Sequence, residues 1–426
     1  MKRISLTLLS SALVLLALGT VMLFSSTAGQ PDLQRFHLHL CWLGLGLGCG
    51  AAAALLPYGW LRRAHLPKWT LGLSVLLLGA VFLPGLGVAR NGALRWLPFG
   101  QPSEFAKLAL LIFLADYAAS HQDRMQERSA GFLWPGCVAG VVSALVFAEP
   151  DWGTAGLLGA VALAMLTLGG AHWGYIVASL VIGAELFGLF LVQNPLRLER
   201  VLAFMDPEQY RHGIGWQAWQ SLLALGNGGL AGTSFGEGTH KNGFVPEQQT
   251  DFVLSLVGEE LGFVGTGLVL LLFAGIVLCG ARMAWRADEP FGQLLAAGIT
   301  LLIGLQALIN IGVVTSSLPN KGIALPFVSY GGSSLVCLLT GVGLLVSIAR
   351  HAPLCPGLPP RAASAQGAQN KSAGPVGSLL DNSTQPLPQR SVASMAALAA
   401  RSPQYAVPLR SAPSLPGPLQ KRRLAP

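Results

Sequence analysis

NPLRLERVLAFMDPEQYRHGIGWQAWQSLLALGNGGLAGTSFGEGTHKNGFVPEQQ (194–249) runs directly into TDFVLSLVGEELGFVGTGLVLLLFAGIVLCGA (250–281). The first stretch is polar, rich in glycine and studded with cations. The second is an apolar run that exceeds the roughly 20 residues a membrane-spanning helix needs. Asp251 therefore stands where a long loop meets a bilayer. A chain built mostly of membrane spans, with one long loop, is expected to keep its chemistry in that loop.

Working outward, apolar spans recur at about 4–28, 36–57, 69–88, 104–119, 131–148, 152–170, 173–193, 252–281, 291–316 and 325–349. Of 426 residues, 52% are hydrophobic and 11% charged, with a mean hydropathy of +0.56. Soluble chains usually carry about 25% charge. The expected fold is an all-α polytopic membrane protein of about ten transmembrane helices. One long extracytoplasmic loop, 194–250, joins the seventh helix to the eighth. Ten spans put both termini on one side. Lys2 and Arg3, then Arg62, Arg63 and Lys68, then Arg124 and Arg128, then Arg282 and Arg286, and finally Arg350 onward all fall there, which marks it as the cytoplasm.

The net charge of +8 does not point to nucleic acid, because much of the excess sits in the tail. Residues 1–350 form the transmembrane domain. Residues 351–426, rich in Pro, Ser, Ala and Arg with almost no acid, are expected to be a disordered, basic cytoplasmic tail. Lys2 and Arg3 before an apolar run resemble a signal peptide, but the length of the run favours a retained first helix. The six cysteines have no metal-like spacing and are expected to be packing residues, not disulfides.

Several residues could carry chemistry. Asp251, or Thr250, could simply cap the following helix. Alternatively, Asp251 is a carboxylate at the membrane surface that takes a proton from a hydroxyl, which would require its pKa to be raised by partial burial. Glu259 and Glu260 lie two turns further on in an apolar helix, where they could form a hydrogen-bonded lock or a polar path. Glu104 and Lys107 sit three residues apart at a helix start. They form either a local ion pair or the wall of a substrate groove. Asp151, in Glu149-Pro150-Asp151, could cap the next helix or line an outer cavity. The glycines and serines of the stretch around Ser329 and Tyr330 permit close helix approach or a broken helix. Arg90, Arg95, Arg197, Arg200, Arg211, Lys241 and Lys321 fall in outer loops, against the usual bias. They either form a solvated surface or face an anionic ligand such as a lipid pyrophosphate.

Taken together, QPSEFAK (101–107), EPDWGT (149–154), RVLAFMDP (200–207), WQSLLALGNGGLAG (219–232), VPEQQTDFVLSLVGEELGFVG (245–265) and LPNKGIALPFVSYGGSS (318–334) resemble, in order and spacing, the SEDS family of bacterial cell-wall membrane proteins. The likeness covers about residues 90–350. It implies a ten-helix peptidoglycan glycosyltransferase of the cytoplasmic (inner) membrane. Such an enzyme polymerises lipid II on the outer face, releases undecaprenyl pyrophosphate, and works with a class B penicillin-binding protein and other division proteins. The family's essential loop aspartate falls on Asp251, and its supporting Glu, Lys and Asp fall on Glu104, Lys107 and Asp151. Ser329 and Tyr330 lie in its last motif. Lys241 and Lys321 resemble the FtsW division branch more than the RodA elongation branch. Gln249 departs from the pattern, since many relatives have His there.

The resemblance implies that Asp251 deprotonates the acceptor sugar, with loop cations stabilising the leaving pyrophosphate. The sequence shows no metal-ligand cluster. A divalent cation, Mg or Mn, would be held by few protein groups and by the pyrophosphate. A lipid II flippase, using Lys107, Glu259 and Glu260, and a noncatalytic division scaffold remain as alternatives.

Overall fold

The computed structural model describes residues 1–27, 34–90, 93–193, 195–239, 249–320 and 322–351. The expected basic tail, with Cys355, lies outside them, as do Lys241 and Lys321. Helices α1 (Lys2–Thr27), α2 (Gln34–Leu55), α3 (Leu66–Ala80), α4 (Pro102–Ser120), α5 (Trp134–Ala148), α6 (Trp152–Leu168) and α7 (Trp173–Val192) follow the first seven apolar spans. Next come α8 (Pro195–Met205) and α9 (Trp216–Gly228), then α10 (Val253–Arg286), α11 (Pro290–Val314) and α12 (Gly332–His351). Seven described helices are long and apolar enough to cross a membrane: α1, α2, α5 with the turn before it, α7, α10, α11 and α12. Of the other three span helices, α3 and α6 are shorter, and α4 carries charges that it buries inside the bundle.

The core is apolar side chain against apolar side chain, including Leu8 and Leu15 of α1, Leu110 and Leu111 of α4, Phe291 of α11 and Leu345 of α12, all nearly inaccessible. In lipid, close packing replaces the hydrophobic drive as the glue between helices, so small residues matter. Gly50 and Gly343 show this: a Cβ on Gly343 would meet the Gly50 carbonyl at 2.1 Å. α2 and α12 touch backbone to backbone there.

Two helix ends and two cysteines depart from expectation. Within the connection 194–250 the chain folds α8 and α9. The third span ends its helix at Ala80 instead of running to 88, since Pro84 and Gly85 (φ 87°) break it. The chain then forms a small hairpin of β1 (Val88–Arg90) and β2 (Ala93–Trp96), with Ala89 opposite Leu94. The last helix begins at Gly332 and not near 325, because Pro326 and the left-handed Phe327 (φ 64°) hold the preceding turn out of helix. The cysteines are free where described. Cys279 and Cys337 are buried, but Cys41 and Cys137 face outward and do not serve as packing residues.

The long α10 is interrupted at Gly262 (φ 67°, ψ −162°). At this break the Phe263 and Val264 N–H groups donate to the Gly229 and Leu230 carbonyls, at 2.9 and 3.2 Å. The end of α9 thus plugs into α10. A Cβ on Gly262 would lie 2.4 Å from the Gly232 nitrogen, so the joint needs glycine for both its backbone angle and its space.

Candidate active site

The turn Glu149-Pro150-Asp151 is shaped by its neighbours. Asp151 caps α6, with Oδ1 accepting the Thr154 N–H at 3.1 Å. Its Oδ2 lies 3.4 Å from Gln101 Nε2, and the Gln101 N–H donates to Ser333 Oγ at 3.1 Å. Gln101 therefore joins the starts of α4, α6 and α12. Arg95 of β2 donates from Nε to the Glu149 carbonyl at 3.0 Å and from Nη2 to the Pro150 carbonyl. The Glu149 side chain is fully buried, and neither carboxyl oxygen has a hydrogen-bond partner among the described residues. Burial, reinforced by the Asp151 charge and opposed by Arg95, pushes its pKa up to about 8, so it is neutral at physiological pH.

Asp251 lies across from this turn. The N-cap of α10 is Phe252, so neither Thr250 nor Asp251 occupies the capping position. Asp251 is half-buried. Its backbone carbonyl accepts Asn310 Nδ2 at 2.7 Å. A Cβ on Gly322 (φ 60°) would lie 3.2 Å from Asp251 Oδ2, so the loop after α11 runs directly against the carboxylate.

A cavity of about 470 Å³ opens between these parts. Asp251, Asp151, Arg95, Arg200, Trp152 and Trp216 contribute to its walls. The hairpin, the turn before α6, α8, the start of α9 and the loop after α11 all meet there. Two carboxylates, two guanidinium groups and two indoles fit a sugar attached to an anion. Carboxylates handle hydroxyl protons, guanidinium forks bind phosphate oxygens, and indoles offer flat apolar faces.

The other expected residues are placed elsewhere. Lys107 Nζ contacts both Glu104 carboxylate oxygens at 2.8 Å, both side chains being buried. That pair is the local one, and it lines a small separate space with Gln306 and Cys337 instead of the open cavity. Ser329 Oγ accepts the Leu325 N–H at 2.8 Å and shapes the turn. The Tyr330 N–H donates to the Gln249 carbonyl at 2.9 Å, and its ring lies 6.0 Å from the ring of His39. Gln249 Oε1 also accepts Arg35 Nη1 at 3.2 Å, so the departure at this position is tied to α2. Glu260 accepts Ser25 Oγ at 2.7 Å, and Glu259 accepts the Thr239 N–H at 2.9 Å. These two glutamates form the lock.

Asn310, Gln306 and Glu149 join the surroundings of Asp251 and Asp151 only through the fold. A polar side chain in a spanning helix was the available signal for the first two.

The model of the FtsW/RodA/SpoVE cell cycle proteins matches residues 5–353. The chain belongs to this family. It is 44% identical over 279 residues to the probable peptidoglycan glycosyltransferase FtsW of Geobacter metallireducens, covering 64% of this chain and 74% of that one. Its identity to the FtsW protein of Geobacter sulfurreducens is 38% over 360 residues, covering 82% and 95%. Among solved structures, it resembles a chain of a peptidoglycan synthase complex described as coordinating polymerization and crosslinking, with a TM-score of 0.67, 29% identity, and 80% and 96% coverage. It also resembles the rod shape determining protein RodA of Thermus thermophilus, with a TM-score of 0.57, 28% identity, and 80% and 95% coverage. The protein is a polytopic membrane protein of the FtsW branch, a peptidoglycan glycosyltransferase by kinship.

Proposed function

We propose that this protein polymerises lipid II into glycan strands for the division septum, with Asp251 as the general base. The observation that carries this reading is the half-buried Asp251 on the wall of a 470 Å³ cavity shared with Arg95 and Arg200.

In the reaction, Asp251 accepts the proton of the acceptor GlcNAc 4-hydroxyl. The freed oxygen bonds to the anomeric carbon of the donor MurNAc. The bond from that carbon to the phosphate oxygen breaks, and its electron pair leaves with undecaprenyl pyrophosphate. The two guanidinium groups are suited to the charge that builds on the pyrophosphate. Arg95 is fixed by two carbonyls and still has N–H groups to offer, because a guanidinium carries five. Trp152 and Trp216 suit the sugar faces. Among the described residues no three His, Cys, Asp or Glu side chains gather to hold a metal ion, so the donor set does not fit an Mg or Mn ion held by the protein alone.

The orientation follows from two signals. Trp60, Trp69, Trp134, Trp173 and Trp285 are the exposed tryptophans among the described residues, and alternation of the spans puts all five at the arginine-rich end. Tryptophan belts and positive loops mark membrane interfaces, with positive charge inside. The cavity then opens outside, and both termini are cytoplasmic. A class B penicillin-binding protein is the partner that would crosslink the strands, in company with other division proteins. Likeness to a chain of a synthase complex that couples the two steps supports that pairing.

The test is to purify the protein with its class B partner, whose transpeptidase site is disabled, and supply lipid II. Wild type should form glycan polymer. Asp251→Asn should fold and bind lipid II yet form none. Polymer from Asp251→Asn at the wild-type rate would overturn the assignment.

A further inference from the structure

Asn310 is a primary amide buried in an apolar helix, with 1% of its surface exposed. A polar group there is costly unless its hydrogen bonds are made. Both N–H bonds of its Nδ2 have partners. One goes to the Asp251 carbonyl at 2.7 Å and one to the Ile323 carbonyl at 2.8 Å. One turn earlier on the same face of α11, Gln306, also buried, donates to the Ala324 carbonyl at 3.0 Å.

Three carbonyls from two separate segments are therefore gripped by one helix face. The segments are the residue before the α10 cap and the loop after α11. Next to Ile323 lies Gly322, whose backbone runs against the Asp251 carboxylate. A single amide thus couples the position of Asp251 to that of the loop that walls its carboxylate. Leucine would suit the helix and the apolar core but would leave both carbonyls without this donor.

We propose that Asn310 is a positioning residue that holds the Asp251 carboxylate in register with residues 322–324, and that turnover depends on it more than lipid II binding does. This rests on Asp251 being the base. Displacing a reacting group by about 1 Å can cost about 100-fold in rate.

The experiment uses the complex with the transpeptidase-disabled partner and measures kcat and KM for lipid II polymerisation. Asn310→Leu removes both donors and should lower kcat about 10- to 100-fold, with KM changed by less than about threefold. Asn310→Asp keeps the shape. At most one donor then remains for the two carbonyls, so kcat should again fall with little change in KM. A wild-type kcat for Asn310→Leu, or a loss that falls on KM instead of kcat, overturns the proposal. So does failure of both variants to fold, which would make Asn310 a folding residue alone. Asp251→Asn in the same preparation separates the two readings. If it is active, the base assignment fails. If it is dead while Asn310→Leu turns over normally, only the positioning role fails.

Discussion

Arg95 bonds the backbone of Glu149 and not its carboxylate. Nε donates to the Glu149 carbonyl at 3.0 Å, while the buried carboxyl of the same residue has no donor among the described residues. The guanidinium thus braces the turn that carries Asp151 while Arg95 also lines the cavity. Burial holds the carboxyl behind it protonated well above the usual carboxylate range.

That protonation gives a pH dependence with a definite sign. The Glu149 pKa rises from 4.5 to about 8 on folding. An acid whose folded pKa is raised contributes stability that is complete below its unfolded pKa and is lost as pH rises through the folded value. The wild type should therefore lose stability between about pH 4.5 and pH 8. Glu149→Gln removes the titration, so its melting temperature in detergent should exceed that of wild type by an amount that grows up to pH 8 and then levels off. A constant gap across that window would contradict the neutral carboxyl.

The Glu104–Lys107 pair is buried among apolar neighbours, so breaking it should cost more than removing it. Lys107→Met leaves a lone buried carboxylate and should destabilise by about 3 kcal/mol or more. Combining it with Glu104→Gln should recover most of the loss. Thermal unfolding of the single and double variants decides this, and equal losses in both would mean that the pair does not act as a unit.

Ser25 and Glu260 tie α1 to α10 across 235 residues of chain. Ser25→Ala removes a donor from a buried carboxylate and should cost about 1–3 kcal/mol. Since neither residue lines the cavity, lipid II polymerisation at low temperature should be nearly unchanged. A loss of kcat without a loss of stability would assign the contact to the chemistry instead.

Gly322→Ala tests the wall beside Asp251. The new methyl would sit 3.2 Å from Oδ2, on a backbone with φ of 60°. The strain is modest, of order 1–2 kcal/mol, but it falls on the proposed base. We expect kcat to drop at least tenfold with the fold intact by circular dichroism. A variant of unchanged kcat would show that the loop yields freely at this point.

Local and periodic features are legible in the chain without its fold. Ten apolar stretches of near-spanning length mark ten helices, because a bilayer forces the backbone to satisfy its own hydrogen bonds. The i,i+3 spacing of Glu104 and Lys107 predicts their pairing, since helix geometry alone brings them together. The loop motif marks Asp251 at the edge of a span. Contacts between residues far apart in the chain come only from the packing of the bundle. Asn310 and Asp251 meet over 59 residues, Arg95 and Glu149 over 54, and Ser25 and Glu260 over 235. No periodicity encodes such distances. They follow from which helix faces pack and from glycines such as Gly262 that let backbones touch. The same reason explains why Glu104, Lys107, Ser329 and Tyr330 share motifs with the site but not its cavity. Proximity along a chain fixes the turn a residue sits on, while the packing of the bundle fixes what that residue faces.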